Sequence, residues 1–153
     1  MTIATARAEI YSVVNAVTNS GKVYDYDRLA TDWGTFLNLF RTTIGGRKQI
    51  LGYTIGYNGA AATDAELDPR AFRSHRFVVR GYMSLNDEKE TEKTAANLAE
   101  TIANALDDSA TLHDGSSFYN TEPAQIEIFE ARVFGDVLVH YTEIGLVVTE
   151  FVA

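Results

Sequence analysis

Cysteine is absent from this chain and histidine is rare, which removes several kinds of chemistry from consideration. Without cysteine, the protein forms no disulfide, no thiolate nucleophile and no cysteine-ligated zinc site. The three histidines show none of the HxH, HxxxH or HExxH spacings of metal sites; they are His75, His113 and His140. The sequence also lacks the GxGxxG, P-loop and GxSxG motifs. We therefore predict no catalytic site, no metal and no cofactor.

Long apolar runs are also missing. No stretch reaches the roughly 20 apolar residues that a membrane-spanning helix needs. The N-terminal segment contains Glu9 and Asn15 and lacks a basic start followed by an apolar core, so we expect no signal peptide. Hydrophobic residues nevertheless make up 46% of the chain and aromatic residues 11%, which is enough for a packed core. With 153 residues, residues 1–153 are expected to form a single domain.

Positive charge is scarce as well. The chain carries 13 basic and 21 acidic residues, a net charge of −8. Such a surface repels phosphate backbones and disfavours tight binding to nucleic acid. Between Asn86 and Asp108, seven acids stand against two lysines, which leaves −5 on one predicted helix. The simplest interpretation is a solvated helix face. The alternatives are a surface that avoids DNA or one that binds a basic partner.

The first predicted elements are two helices separated by a short strand. Apolar residues recur at three- and four-residue steps from Thr2 to Thr18, which predicts an amphipathic helix that ends before Gly21. The residues of Lys22–Tyr26 alternate and predict a short strand. A dense group of large apolar residues follows, and we interpret it as a short helix capped by Thr31 or Asp32.

Two strands are predicted in the middle of the chain. Lys48–Tyr57 alternates, and Gly52 and Gly56 within it indicate bulges or the close approach of another backbone. The small, polar segment Asn58–Pro69 predicts a surface loop, which could order only against a neighbouring subunit. His75–Leu85 alternates most clearly and predicts a central strand.

A long helix is predicted at Asn86–Asp107. Asn86 or Asp87 can cap it, and Asp87 with Glu90 has the spacing of a capping box. Its apolar residues recur on one stripe, and its alanines allow the helix to lie close to a sheet. The acidic residues of its first turn are candidates for a partner-binding or pore-lining face. These residues are Asp87, Glu88, Glu90 and Glu92.

The C-terminal third predicts a polar loop followed by two strands. The loop is Asp107–Pro123, and the strands are Gln125–Val133 and Val137–Phe151, with a bulge or kink at Gly145. Strands that follow one another through short turns favour antiparallel pairing. We therefore predict the α+β class, with an antiparallel or mixed sheet and the N-terminal and long central helices packed on one of its faces.

Several charged residues could in principle carry chemistry. Five carboxylates are available for acid–base work: Asp27, Asp32, Glu127, Glu130 and Glu143. Carboxylates are common in this chain, so a structural use is the simpler interpretation. Three arginines, Arg28, Arg41 and Arg47, surround the aromatic segment. They form either a basic patch or, as we expect, salt bridges to the surplus acids.

Three aromatic residues are candidates for an interface. Trp33 is the only tryptophan, and we interpret it as a packing anchor with an interface role as the alternative, because Trp and Tyr are concentrated in interface hot spots. Tyr53 and Tyr57 share one face of the Lys48–Tyr57 strand and are further interface candidates. His140, within a strand, is predicted to be packed or at an interface.

The order of these segments resembles that of the tail terminator and neck (head–tail joining) proteins of long-tailed bacteriophages. The resemblance begins with the amphipathic helix that leads to VYDYDRL (Val23–Leu29) and continues with ILGYTIGY (Ile50–Tyr57). A strand then runs into an acidic helix start in HRFVVRGYMSLNDEKET (His75–Thr91). The closing strand pair is PAQIEIFEARVFGDVLVHYTEIGLVVTE (Pro123–Glu150).

The resemblance implies a structural virion protein. Such proteins form hexameric rings that cap the tail tube, end its polymerisation and provide the interface for joining to the head. The implied partners are further copies of the chain, the tail tube protein and a neck or head-completion protein, with no membrane involved. DNA passes through the ring without specific binding, and the acidic residues of Asp87–Glu92 are hypothesised to line its lumen. Strand edges from Lys48–Tyr57 or the C-terminal strand are expected to pair between subunits.

The implied location is the tail or neck of the virion, after assembly in the host cytoplasm. A neck or head-closure adaptor and a tail tube-like subunit of the same assembly are the alternatives. A small α+β enzyme is a further alternative, which the absence of a recognisable site disfavours.

Overall fold

The computed structural model describes residues 3–44, 46–62, 72–113 and 118–151. The helices within these ranges are α1 (Ile3–Ala16), α2 (Trp33–Asn38) and α3 (Thr91–Asp107). The strands are β1 (Lys22–Tyr24), β2 (Arg41–Ile44), β3 (Arg47–Ala62), β4 (Phe72–Ser84), β5 (Phe118–Thr121), β6 (Gln125–Phe134) and β7 (Val137–Phe151). Short 3₁₀ helices occupy Asp87–Lys89 and Thr111–His113.

The strands form a mixed sheet of seven, in which β3, β4 and β7 are long central strands that pair antiparallel. On the outer side of β3, β2 pairs antiparallel and β1 pairs parallel. On the outer side of β7, β6 and β5 pair antiparallel with its first and last parts. The predicted α+β class, with a mixed sheet and two helices on one face, is confirmed.

Two long helices cover one face of the sheet, here called the two-helix face. In α1, Ile10 and Val14 lie one turn apart and are fully buried. In α3, Leu98, Ile102 and Leu106 recur at four-residue steps and are buried in the same cluster, as in an amphipathic helix. Burial of each large side chain stabilises the fold by about 1.5–3 kcal/mol. This face therefore holds the larger apolar core.

The opposite face, here called the α2 face, carries an aromatic cluster. Asp32 caps α2, because its carboxylate accepts the Thr35 N–H at 2.8 Å, which confirms the predicted short helix and its cap. Phe36 and Phe40 then pack on Tyr82, with ring centroids 5.3 and 4.7 Å apart. These packed rings fix α2 and the chain that follows it over β3 and β4.

The start of the long helix differs from its prediction. Asn86 caps the 3₁₀ helix by accepting the Lys89 N–H, and the chain then turns sharply at Glu90, whose φ is +53°. The predicted capping box of Asp87 with Glu90 is therefore wrong. The hydroxyl of Thr91 accepts the Asn86 N–H at 2.8 Å and lies 2.8 Å from Nε2 of His140. These contacts hold the helix start against β7 and make α3 begin at Thr91.

The predicted loops contain more regular structure than expected. Strand β3 continues to Ala62, past a register shift at Tyr57 to Ala60, so the first part of the predicted Asn58–Pro69 loop is wrong. Gly59 takes a φ of +100°, which glycine adopts readily. Residues 63–69 of that loop lie outside the described residues. The predicted loop between α3 and β6 contains a 3₁₀ helix and β5.

Strand β2 was not among the predicted elements. It forms a tight hairpin with the start of β3, in which Arg41 pairs with Ile50 and Ile44 with Arg47. The predicted irregularity at Gly145 is also misplaced. Gly145 lies in register with β4, and the bulge is in the facing strand, between Ile126 and Ile128. Outer strands absorb such an extra residue more easily than a strand paired on both sides.

Candidate functional site

An ion-pair network lies at the centre of the α2 face. The guanidinium of Arg80 donates to Asp27 Oδ2 at 2.6 Å, and its Nε lies 3.4 Å from Glu143 Oε1. The Thr54 hydroxyl donates to the other oxygen of Asp27 at 3.0 Å. Burial alone would lower the pKa of Arg80, but Asp27 and Glu143 outweigh it and raise that pKa. The network therefore keeps Arg80 charged and fixes the β1–α2 connection to β4.

A glycine makes room for this network. A Cβ at Gly56 would lie 2.3 Å from Asp27 Oδ2 and 2.5 Å from Arg80 Nη1. No side chain fits there while the ion pair keeps its position. The predicted close approach of another backbone is confirmed at Gly52, where a Cβ would lie 2.4 Å from the backbone oxygen of Lys22, whereas the groups that approach Gly56 are side chains.

The network extends to the outer strand β6. The Tyr141 hydroxyl donates to Glu143 at 2.5 Å, and burial raises the pKa of Tyr141 to about 12, with that hydrogen bond adding to the effect. The guanidinium of Arg132 stacks over the Tyr141 ring, 4.0 Å from its centroid. Arg132 Nε also donates to Glu130 at 2.9 Å. Charged groups thus continue across the α2 face from β4 to the edge of the sheet.

A second ion pair joins β4 to the bulge of β6. Arg76 donates to the carboxylate of Glu127 at 2.5 Å. That carboxylate lies above Gly145, where a Cβ would come within 2.4 Å of its oxygen. The small residue and the bulge together bring Glu127 over β7 and within reach of Arg76.

All five carboxylates that the sequence singled out have structural contacts. Four are paired with arginines, and Asp32 accepts hydrogen bonds from Thr35 that lower its pKa. The oxygens of these carboxylates are already engaged by arginine side chains or by the start of a helix. The geometry therefore favours a structural use of these side chains over acid–base chemistry.

A buried polar chain crosses β3, β4 and β7 on the two-helix face. The Tyr57 hydroxyl lies 3.0 Å from Nδ1 of His75, and Nε2 of His75 lies 2.8 Å from Glu150 Oε1. His75 is only 2% exposed and Glu150 only 5%. This order of hydroxyl, histidine and carboxylate is found in some catalytic triads, but His75 and Glu150 are both closed off from solvent. This burial favours a structural link between the three strands.

The other two histidines have different surroundings. His140 is buried beside Thr91, as predicted for a packed residue, and His113 is exposed in a 3₁₀ helix. Burial lowers the pKa of His140, and nearby Glu92 opposes part of that effect. Among the described residues, no group of three or more His, Asp or Glu side chains is arranged to hold a metal ion.

The three predicted interface aromatics have different surroundings. Trp33 is 52% exposed and packs edge-on against Phe134, so one side of its ring faces solvent. Tyr57 is half-buried and contacts His75. Tyr53 is only 3% exposed because α1 and α3 cover its face of the sheet, so its predicted interface role is wrong. Burial also raises the pKa of the Tyr53 hydroxyl.

The predicted acidic face lies around the start of α3. All four of its residues are exposed: Asp87, Glu88, Glu90 and Glu92. Lys93 pairs with Glu90 at 3.0 Å, and Lys89 lines a groove of about 220 Å³ together with Arg47 and Lys48. The acidic face therefore adjoins a basic surface at the same end of the sheet.

Among the residues that the structure describes, the three predicted basic residues form no ion pair with the surplus acids. Arg28 stacks over the rings of Tyr24 and Tyr26, at 4.6 and 5.3 Å. Arg41 and Arg47 are exposed on the β2–β3 hairpin, and within the described ranges neither has an ion-pair partner. The expected salt bridges are thus wrong for this part of the chain, and the hairpin keeps its positive charge free.

The sheet edges differ in part from those that the sequence predicted. Strand β3 is paired on both sides by β1 and β4 from Gly52 to Thr54, and β7 is paired on both sides along most of its length. The predicted pairing of subunits through the C-terminal strand is therefore wrong, whereas pairing through Lys48–Tyr57 stays a prediction for the part of β3 that follows Thr54. In the described part of the chain, the strands with an unpaired side are β6 and β5 at one edge and β2, β1 and the second half of β3 at the other.

Exposed apolar side chains are concentrated near the β6 edge. Four large ones lie on the β6–β7 hairpin: Ile126, Val133, Val137 and Leu138, each 40–62% exposed. Leu29 is 89% exposed and, with Trp33, borders a groove of about 280 Å³ on the α2 face. The sequence predicted an interface role for Trp33 but not for the residues of the β6–β7 hairpin. A strand that is apolar on both faces has the same sequence pattern as a strand that is buried on both faces.

The sequence matches no protein-family model and no curated protein. No helix in the described ranges is both long and apolar enough to cross a membrane. The sheet edges and the α2 face are therefore the structural basis for a functional proposal.

Proposed function

We propose that this protein is a structural subunit of a bacteriophage tail. As a ring, it caps the tail tube, ends tube polymerisation and forms the interface for head–tail joining. The proposal joins the sequence resemblance to tail terminators with one structural observation, which is the long unpaired edge of β6.

Strand β6 has ten residues and pairs only with β7 in the described part of the chain. Proteins usually protect such an edge, because an unpaired strand and nearby apolar side chains associate readily with other chains. On this edge, Ile126 is 43% exposed and Val133 is 62% exposed. An edge of this length with exposed apolar groups suits a subunit that becomes covered on assembly.

The contacts of the carboxylates are also consistent with a structural role. Ion pairs such as Arg80 with Asp27 and Arg76 with Glu127 connect strands to one another. They hold the sheet and the β1–α2 connection in one arrangement, which a ring subunit needs on its contact surfaces.

Self-assembly is the first test of the proposal. Native mass spectrometry of the purified protein, alone and bound to isolated tail tubes, is expected to show hexamers in at least one of these states. A protein that stays monomeric in both states would contradict the proposal.

Control of tube length is the second test. Addition of the protein to polymerising tail tube subunits is expected to shorten the tubes in electron micrographs and to place the protein at tube ends. Pull-down experiments then separate the alternatives, because a terminator binds the tube protein and a head-closure adaptor binds the portal.

The acidic lumen is a separate hypothesis within this proposal. In a ring that places α3 starts around the channel, exposed acids such as Glu88 and Glu92 would repel passing DNA. Substitution of Glu88, Glu90 and Glu92 by lysine is then expected to slow DNA ejection from particles that assemble normally. Normal ejection from such particles would show that these residues do not face the DNA.

A further inference from the structure

The two edges of the sheet carry opposite charge. The β2–β3 hairpin, residues 41–48, contains Arg41, Arg47 and Lys48 and no acid, a charge of +3. At the opposite edge, residues 122–136 contain four acids and one arginine, a charge of −3. The three basic side chains are exposed and, among the described residues, have no carboxylate partner. The hairpin therefore offers free positive charge to a partner.

The opposite charges also lie on the same face of the sheet. Arg41 pairs with Ile50, whose side chain belongs to the aromatic cluster of the α2 face, so Arg41 and Lys48 lie on that face. Glu127 and Glu130 lie on the α2 face at the β6 edge, where they pair with Arg76 and Arg132, and Glu122 and Asp136 add further negative charge to this edge. Two copies placed edge to edge with their α2 faces on the same side would thus bring unlike charges together.

A two-fold contact through β6 is disfavoured by the same charges. Such a contact places the same surface of both copies together, so Glu127 and Glu130 of one copy would face the corresponding acids of the other. Like charges at an interface cost binding energy and suppress that arrangement. A head-to-tail contact repeats the favourable pairing at every junction and closes into a ring when the rotation allows.

From these observations we infer that the β6 edge of one copy binds the β2–β3 hairpin of a second copy. The partner is therefore this same chain, and the contact is electrostatic, with the acidic edge docking against Arg41 and Lys48. This inference rests on the proposed ring-forming function and identifies the two surfaces that meet in it. Because the charges are exposed, the contact weakens as the salt concentration rises.

Two charge-reversal variants test the inference. The first variant carries Arg41→Glu and Lys48→Glu, and the second carries Glu130→Lys and Asp136→Lys, all at exposed positions. In each variant alone, the net charges of the two edges have the same sign. We therefore expect the variant to associate at least about 100-fold more weakly than the wild type. In an equimolar mixture every junction again joins unlike charges, so assembly returns with the two variants alternating.

Native mass spectrometry and light scattering measure these outcomes, and circular dichroism verifies folding. A control variant with Glu100→Lys and Asp108→Lys changes the net charge equally on α3 and is expected to assemble like the wild type. If the Glu130 and Asp136 variant does not fold, Arg41→Gln with Lys48→Gln gives a milder test, with weaker assembly expected.

The results separate the inference from the function on which it rests. If the wild type forms rings and either reversed variant forms them equally well, the edge contact is wrong and the ring proposal stands. A mixture that fails to assemble although both variants are folded also overturns the edge contact. A wild type that never assembles, alone or on tail tubes, overturns both.

Discussion

The two faces of the sheet are packed by different means. On the two-helix face, α1 and α3 close an apolar core in which Ile10, Ile102 and Ile144 are fully buried. On the α2 face, an aromatic cluster covers one part, and ion pairs such as Arg80 with Asp27 cross the rest. The comparison indicates that the first face supplies most of the stability, while the second exposes charged groups and the ring of Trp33 to solvent.

The largest expected effect comes from the buried contact between His75 and Glu150 on the two-helix face. Replacement of His75 by leucine leaves the carboxylate of Glu150 buried without its 2.8 Å partner. We expect a loss of about 3–5 kcal/mol in the free energy of unfolding, measured by urea denaturation. The double variant His75→Leu, Glu150→Leu should recover most of this loss. Equal stability of the single variant and the wild type would show that the pair is not needed.

Apolar packing on the same face is tested by Ile102→Ala. Ile102 is 0% exposed, so the change leaves a cavity under α3 and should cost about 2–5 kcal/mol. Asn104→Ala on the exposed side of the same helix is the matched control and should change stability by less than about 0.5 kcal/mol. Similar losses for both variants would contradict the assignment of the core.

On the α2 face, Gly56→Ala is the matching test. The added Cβ would lie 2.3 Å from Asp27 Oδ2, so the ion pair must move, and we expect a loss of about 1–3 kcal/mol. Asp27→Ala removes the group that the Cβ meets. The two substitutions should therefore cost less together than the sum of their separate effects. Simple additivity in thermal unfolding would argue against the close approach.

The smallest effect is a pH dependence that arises where α3 meets β7. Burial lowers the pKa of His140 in the folded state below its ordinary value of 6.5. The unfolded chain then binds the proton more readily, so stability falls as the pH drops below 6.5. Urea denaturation across this range should show a loss that is absent in His140→Gln. The exposed His113→Gln variant is the control and should keep the wild-type pH dependence.

Local periodicity was sufficient to predict the long elements. The four-residue spacing of Leu98, Ile102 and Leu106 and the alternation in β4, β6 and β7 depend only on neighbours along the chain. The start of α3 could not be predicted, because it is set by a contact between Thr91 and His140. Strands β2 and β5 were missed because four residues contain too little alternation to be distinguished from a loop.

The charged contacts of the α2 face could not be predicted either, because their partners are far apart along the sequence. Arg80 and Asp27 are 53 residues apart, and Arg76 and Glu127 are 51 residues apart. Composition showed that acids were in excess, but not which of them an arginine would reach. The free charge of Arg41 and Lys48 became visible only when the structure showed that neither forms an ion pair among the described residues.

Strand β7 also sets the order in which surfaces become available during synthesis. It pairs with β4 on one side and with β5 and β6 on the other, so the acidic edge has no support until β7 has left the ribosome. Pairings between distant segments form late in folding. We expect ribosome-bound chains that stop before Val137 to bind no completed subunit in a pull-down. In the ring that we propose, the position of one strand would then keep unfinished chains out of assembly.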